Sequence, residues 1–422
     1  MGILRFADNL IYHCGNLIKF KSGAVTASPI SNRLRLIKTS LIPFNHFVLM
    51  ILAAPLLSGC QISYLIKNAY NQMGLLNSRV PIEKALQDDQ LTDAQKRKLI
   101  LAQKAHEFAE TKLSLVKSKN YTTFVKLDRP YVTWTVSVAE KWKLVPYHWS
   151  FPIVGKVPYK GYFNEPAAQT EADEYRQKGY DVYVRGVSAY STLGWFKDPV
   201  LSSMLNYSDY DLVNTIIHET LHATLFIKSD ADFNEQLATF VGNKGAEEFF
   251  LATEGAESEA LKIAKIDNAD DKLFADFISA ELRDLESWYL QLPELAKAQA
   301  SASGQGITGD ISANSDAKKS TGMAETKIQE SELDKIKEEL KQSRISLIQK
   351  RFVETVKPKM RGKSYDKFPD LKLNNARLLL YKTYMNDLSQ IESVFTKFNG
   401  DWAAFISHCK TNATDKTALL MK

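Results

Sequence analysis

Cysteine is nearly absent from this chain of 422 residues: Cys14, Cys60 and Cys409 are the whole complement. A disulfide framework is therefore excluded as the main source of stability. Long hydrophobic runs are also scarce. The apolar stretch Leu41 to Leu57 is interrupted by Pro43, Asn45, His46 and Pro55 and is short for a membrane span. Net charge is missing too, once the first 59 residues are set aside. These hold six basic residues (Arg5, Lys19, Lys21, Arg33, Arg35, Lys38) and one acid, Asp8, leaving 48 of each sign in the remainder. The formal +5 of the whole chain belongs to its leader, and nothing after it asks for a nucleic-acid partner. No internal repeat is visible.

What the leader does contain reads as an export signal. Arg33, Arg35 and Lys38 precede the apolar stretch, which ends in Leu57-Ser58-Gly59-Cys60. Small residues before a cysteine, directly after a short apolar run, resemble the bacterial lipobox. In such signals cleavage follows the residue before the cysteine, here Gly59, and Cys60 is the lipidation site. A single transmembrane anchor with an incidental cysteine is the competing reading. Gln61 follows Cys60 and, by resemblance to Gram-negative sorting rules, favours the outer membrane, with the protein facing the periplasm. The leader of about forty residues before the apolar stretch is long for a signal, so the true start is expected downstream of Met1.

Residue patterns predict an α+β chain, mainly α. Helical spacing runs from Ile62 to about Lys117, interrupted at Pro81 and Asp88-Asp89. The β-rich segments Tyr131–Val138, Trp149–Val154, Tyr159–Phe163 and Tyr180–Val187 predict a small antiparallel or mixed sheet, with a helix over Glu165–Lys178. Helices are then expected over Asp209–Phe226, Asp232–Thr253, Glu254 to about Lys297, Glu330–Val356 and Leu373–Phe398, with a short one at Trp402. Residues 298–326 are small and polar and predict a disordered insertion. The expected organisation is a leader at 1–59, a catalytic region at 60–297, the insertion at 298–326 and a helical region at 327–422 packing on the catalytic part.

Chemistry enters at His218-Glu219-Thr-Leu-His222, an H-E-x-x-H within a helical pattern. A spacing of four sets both imidazoles on one face, a turn apart, where they can hold a single zinc ion. Glu219 between them suits a general base that takes a proton from water in metal-assisted hydrolysis. Chance produces such a match in a chain this size on the order of one per cent of the time.

Zinc needs a third protein ligand, with the fourth position left for water. Glu235, in Asn234-Glu235-Gln-Leu-Ala-Thr239 at the start of the next helix, is the best placed. Asp230, Asp232, Glu247 and Glu248 are rivals, and Asp232 also reads as an N-cap. A peptidase further requires a donor for the tetrahedral oxyanion. Tyr190, just before the metal helix, is the first candidate; Tyr381 and Tyr384 are later ones. His148 is a weaker candidate for the site, while His106 and His408 read as surface or packing residues.

An ordered series of segments accompanies these residues: Pro130-Tyr-Val132, Tyr159-x-Gly-Tyr-Phe163, Asp181-Val-Tyr183, Ala189 to Pro199, His218-Glu-x-x-His222, Phe233-Asn-Glu-x-x-Ala-Thr239 and Asn374-Asn-Ala376. The Phe151-Pro-x-Val154-Gly155 strand also belongs to it. In this series the chain resembles the putative aminopeptidase family of bacterial lipoproteins, from Cys60 almost to the carboxyl end. The resemblance implies a zincin-like metallopeptidase, anchored to the membrane by lipid, with one zinc per chain and a peptide or protein as substrate. No Gly-x-Met-Glu-Asn-like segment, the amine-gripping device of one large aminopeptidase group, is present. An endopeptidase of envelope proteins and a zinc-stabilised, non-enzymatic envelope binding or scaffold protein are the alternatives.

Overall fold

A computed structural model describes residues 60–151, 155–302, 318–384 and 388–413, together with Leu419. The leader and its expected signal, residues 1–59, lie outside the described residues. The chain adopts the mainly helical α+β class that the patterns predict. Among the described residues no helix is long and apolar enough to cross a membrane.

The first helical stretch is cut into pieces, as its breakers require. Helix α1 (Cys60–Asn77) is followed by β1 (Val80–Pro81), a single turn α2 (Ile82–Ala85) and α3 (Asp93–Thr111). A reciprocal capping box fixes the start of α3: the Thr92 hydroxyl accepts from Gln95 N–H, and the Gln95 side chain accepts from Thr92 N–H.

Strands β2 (Thr123–Val125), β3 (Thr133–Ala139), β4 (Trp149–Phe151), β5 (Gly155–Val157) and β6 (Tyr159–Tyr162) come next. Helix α4 (Glu165–Gln177), β7 (Asp181–Val187) and β8 (Val200–Leu201) then follow. Strand β3 is central to the larger sheet, with β6 and β7 antiparallel on either side. A smaller sheet, not anticipated from the sequence, pairs β2 antiparallel with β1 and parallel with β8. Strands β4 and β5 form a separate antiparallel pair, so Trp149–Phe151 does not join the larger sheet. The rest of that expected strand, residues 152–154, lies outside the described residues.

Every residue of β3 is buried. Trp134, Val136 and Val138 share a core with Ala168, Ala172 and Tyr175 of α4, which covers that face. Thr133, Thr135 and Ser137 point to the opposite face, which helix α9 (Asn375–Tyr384) covers by packing on β3 and β7.

Two buried helices, α5 (Asp209–Thr224) and α6 (Ala231–Glu254), form the closest helix pair and share the largest core with α3. Helix α7 (Glu259–Ala302) and helix α8 (Lys318–Arg351) pack together around a second core. There Phe274, Phe352, Phe368 and Tyr381 meet at ring distances of 4.9–6.0 Å.

Two expectations change. Helices α7 and α8 run into the low-complexity stretch from both sides, because Ala-rich and Lys/Glu-rich sequence favours helix. Only 303–317 of the expected disordered segment is left, and it lies outside the described residues. The single helix expected over Leu373–Phe398 is two, α9 and α10 (Ser389–Lys397), before a final α11 (Trp402–Thr411). Not every charged residue of α8 is solvated. Lys341 is fully buried, its Nζ 2.6 Å from Asp181 Oδ2 on β7.

Candidate metal centre

Helix α5 starts where Ser208 caps it, its hydroxyl accepting from Asp211 N–H at 3.0 Å. Asp209 and Asp211 sit in the first turn, the favourable end for negative charge. From Leu212 to His222 no residue is exposed, so this helix is buried on all sides rather than amphipathic. It stops at Thr224, and Leu225 turns the chain into extended backbone.

The short link to α6 is closed by one side chain. Asn234 Oδ1 accepts from Ile227 N–H at 2.8 Å, and Asn234 Nδ2 donates to Ile227 O at 2.7 Å. Asp230, not Asp232, is the N-cap: its carboxylate accepts from Phe233 N–H at 3.2 Å, while Asp232 lies exposed inside the first turn. Close approach of the two helices depends on Gly242. A Cβ there would stand 2.7 Å from Asn214 Oδ1 and 3.2 Å from His218 Cβ.

This scaffold brings His218, His222 and Glu235 together, with their ligand atoms all within 4.8 Å of one another. His218 Nε2 and His222 Nε2 are 3.0 Å apart. Glu235 Oε2 is 3.5 Å from His218 Nε2, and Glu235 Oε1 is 3.8 Å from His222 Nε2. Donors at about 2.0–2.1 Å from a tetrahedral ion stand about 3.3–3.4 Å apart, so the three separations fit one zinc-sized cation. The rival carboxylates are engaged elsewhere: Glu248 accepts from Trp402 Nε1 at 2.8 Å and Glu247 from Asn268 Nδ2 at 3.2 Å.

The electrostatics suit the same cation. His218, Glu219, His222 and Glu235 are each at most 2 % exposed. Burial pulls the His222 imidazole down to about 3, so it is neutral and can act as a ligand. Burial raises the Glu235 carboxyl, against the lowering influence of His218 and Arg185. Glu219 is driven well above the carboxylate range by burial, then by Glu235 and Asp198. Both Glu219 oxygens are buried without a hydrogen-bond partner. Such a set is costly to bury, and a divalent cation would offset much of that cost.

Most of the other candidates have partners of their own. The Tyr190 hydroxyl donates to Gln72 Oε1 of α1, and its ring meets Phe163 edge-on. Tyr381 belongs to the aromatic core around Phe274. The Tyr384 side chain lies outside the described residues. His148 is exposed and lines an outer cavity of about 230 Å³ that also reaches Ser137 and Asp232. That cavity is lined by none of the four central side chains. His106 is buried in packing, 2.9 Å from Glu110 and 3.5 Å from the Thr220 hydroxyl. His408 bonds the Leu419 carbonyl at 3.0 Å.

Sequence reasoning missed Tyr121 and Tyr207. Burial raises both hydroxyls, and the charge of Glu219 adds to the effect, which puts both within electrostatic reach of that carboxylate. Tyr121 reaches this position through left-handed backbone, φ 56°, with its N–H donated to Asp198 O. Neither residue carries a pattern that distinguishes it from other core tyrosines.

Fold and site together define a mainly helical α+β protein with a buried His-Glu-His set on paired helices. The model of the family described as Putative aminopeptidase matches residues 63–327 and 324–418, and the chain belongs to that family. No curated protein and no solved structure matches it.

Proposed function

We propose that the protein is a zinc-dependent, zincin-like peptidase of the aminopeptidase type, tethered to the bacterial envelope by lipid on Cys60 and facing the periplasm. The supporting observation is the convergence of His218, His222 and Glu235 beside a buried Glu219. His218 Nε2, His222 Nε2 and the Glu235 carboxylate would hold the ion. Zinc at such a site supplies Lewis acidity, which polarises a carbonyl and makes water a better nucleophile.

The chain's own residues do the rest. Glu219 takes the proton of the attacking water and later delivers it to the leaving amine. Its raised proton affinity strengthens it as acceptor in the first of these transfers, while a nearby cation would ease release of the proton in the second. Tyr190 remains the proposed donor to the tetrahedral oxyanion, and in that role it exchanges its bond to Gln72 for one to substrate.

The test is metal content and turnover measured together. The wild-type protein should hold about one zinc per chain and hydrolyse unblocked peptides, both lost on His222→Ala. Glu219→Gln should keep the metal and abolish hydrolysis. Metal without turnover in the wild-type protein would favour a zinc-stabilised binding protein, and turnover on amine-blocked peptides an endopeptidase.

A further inference from the structure

Helix α1 turns two amides, Asn68 and Gln72, into the fold and three large apolar side chains out of it. An ordinary surface helix does the reverse. The inner face carries Tyr64, Asn68, Gln72, Leu75 and Leu76, all buried. Tyr64 donates to Gly161 O of β6 at 2.8 Å, and Gln72 accepts from the Tyr190 hydroxyl in the loop after β7. This face is therefore fastened to the sheet, and the opposite face points away from the protein. There Ile66, Tyr70 and Met73 are 64 %, 79 % and 44 % exposed. Their spacing of four and three aligns them in one stripe.

Apolar residues scattered singly over a surface need no explanation, but an aligned stripe marks a contact. Three features select a lipid bilayer as that contact. First, α1 begins at Cys60 itself, so no linker separates the proposed lipid-bearing residue from the folded chain. At the helical rise, Ile66 stands about 9 Å and Met73 about 20 Å along the axis from Cys60. With α1 lying in the membrane plane, the whole stripe meets the surface that the lipid enters. Second, the charge is of the right sign. Helix α1 has no acidic residue among its 18 and carries one exposed cation, Lys67. The groove of about 690 Å³ that Tyr70 and Met73 border adds Lys126 and Arg129 against a single acid, Asp128. Anionic headgroups are thus attracted rather than repelled. Third, the most exposed residue is a tyrosine, whose apolar ring and polar hydroxyl suit the headgroup level.

We propose that α1 is a membrane-docking face: Ile66, Tyr70 and Met73 enter the headgroup layer of the bilayer that holds the lipid on Cys60. The inference rests on the lipid-anchor reading and adds an orientation to it. Acyl chains alone keep a protein at the membrane but leave it free to swivel. Burying the stripe favours one pose, with α1 in the membrane plane and the fold standing on it.

The experiment places the protein purified from membranes in vesicles of phosphatidylethanolamine and phosphatidylglycerol. Ile66→Cys, Tyr70→Cys and Met73→Cys, made one at a time, carry a nitrobenzoxadiazole probe; Lys272→Cys on α7, exposed and remote in sequence, is the control. Cys409 is buried and escapes labelling. Emission from the three α1 probes should shift to the blue, and brominated acyl chains should quench most of it, while the control keeps its emission. Three probes that stay water-like on protein floating with the vesicles would overturn the proposal. Equal quenching of the control would do the same.

The mass of the intact chain reports the lipid on Cys60 separately. If the chain carries none, the anchor reading fails, and the same labelled proteins added to the vesicles still decide about the face. Quenching of the three α1 probes then supports docking, and its absence overturns it. Unquenched probes together with a dimer that Tyr70→Glu dissociates in sedimentation would assign the stripe to a second copy of the chain and overturn the bilayer as its partner.

Discussion

Asn234 grips the backbone of Ile227 with both ends of its amide, accepting from the N–H at 2.8 Å and donating to the carbonyl at 2.7 Å. The clamp is one residue before Glu235, so it sets where this proposed third ligand stands relative to His218 and His222. Asn234→Ala removes both bonds and leaves the link groups unsatisfied. The expected cost is about 2–4 kcal/mol in urea unfolding, with weaker zinc retention in competition with a chelator.

Gly242 is where α5 and α6 come closest. Gly242→Ala should push the helices apart at His218, since the new methyl meets the Asn214 side-chain and backbone oxygens and His218 Cβ. We expect about 1–3 kcal/mol lost and a larger loss of zinc affinity than of fold. Gly74→Ala, a helical glycine with open space around it, is the control and should gain about 0.4–1 kcal/mol. Thermal melts with and without zinc separate the two.

Asp198 gives a pH dependence of unusual sign. Burial raises its carboxyl to about 7, against hydrogen bonds from the Thr192 N–H and hydroxyl and the charge of Arg79. The folded state therefore holds a proton that the unfolded chain releases near pH 4. The contribution of this group is complete at low pH, falls as pH rises from about 4 to about 7, and is then constant. Urea midpoints at pH 5 and pH 8 should show a smaller difference in Asp198→Asn than in wild type. A slope unchanged by the substitution would refute this assignment.

Lys341 and Asp181 join α8 to β7 across a buried contact, and Asp181 Oδ2 also accepts from Asn375 N–H at 2.8 Å. Lys341→Met strands the carboxylate and should cost about 3–5 kcal/mol. Adding Asp181→Asn should recover part of that loss, because the amide oxygen still serves Asn375. Denaturant midpoints of the single and double variants give the coupling.

These features differ in how far the sequence announces them. The His218–His222 spacing is local, and helical geometry alone puts both rings on one face. Glu235 was within reach because the link to α6 is too short for the helices to separate. The small sheet of β1, β2 and β8 was not, since strands of two or three residues have no period to detect. Lys341 is indistinguishable in sequence from the solvated lysines beside it, and its partner lies 160 residues away. The polar face of β3 is written in the alternation Thr-Trp-Thr-Val-Ser-Val, but alternation does not say which half faces water. Only the helix laid over it does.

Four side chains at most 2 % exposed also have a kinetic meaning. An ion seated among them would be released through local opening of the structure around the site, so its residence time would be set by that opening as well as by the affinity of the ligands. Chelators would then strip the protein slowly and with a lag, at a rate that mild denaturant increases. Loading is most readily done while the chain folds.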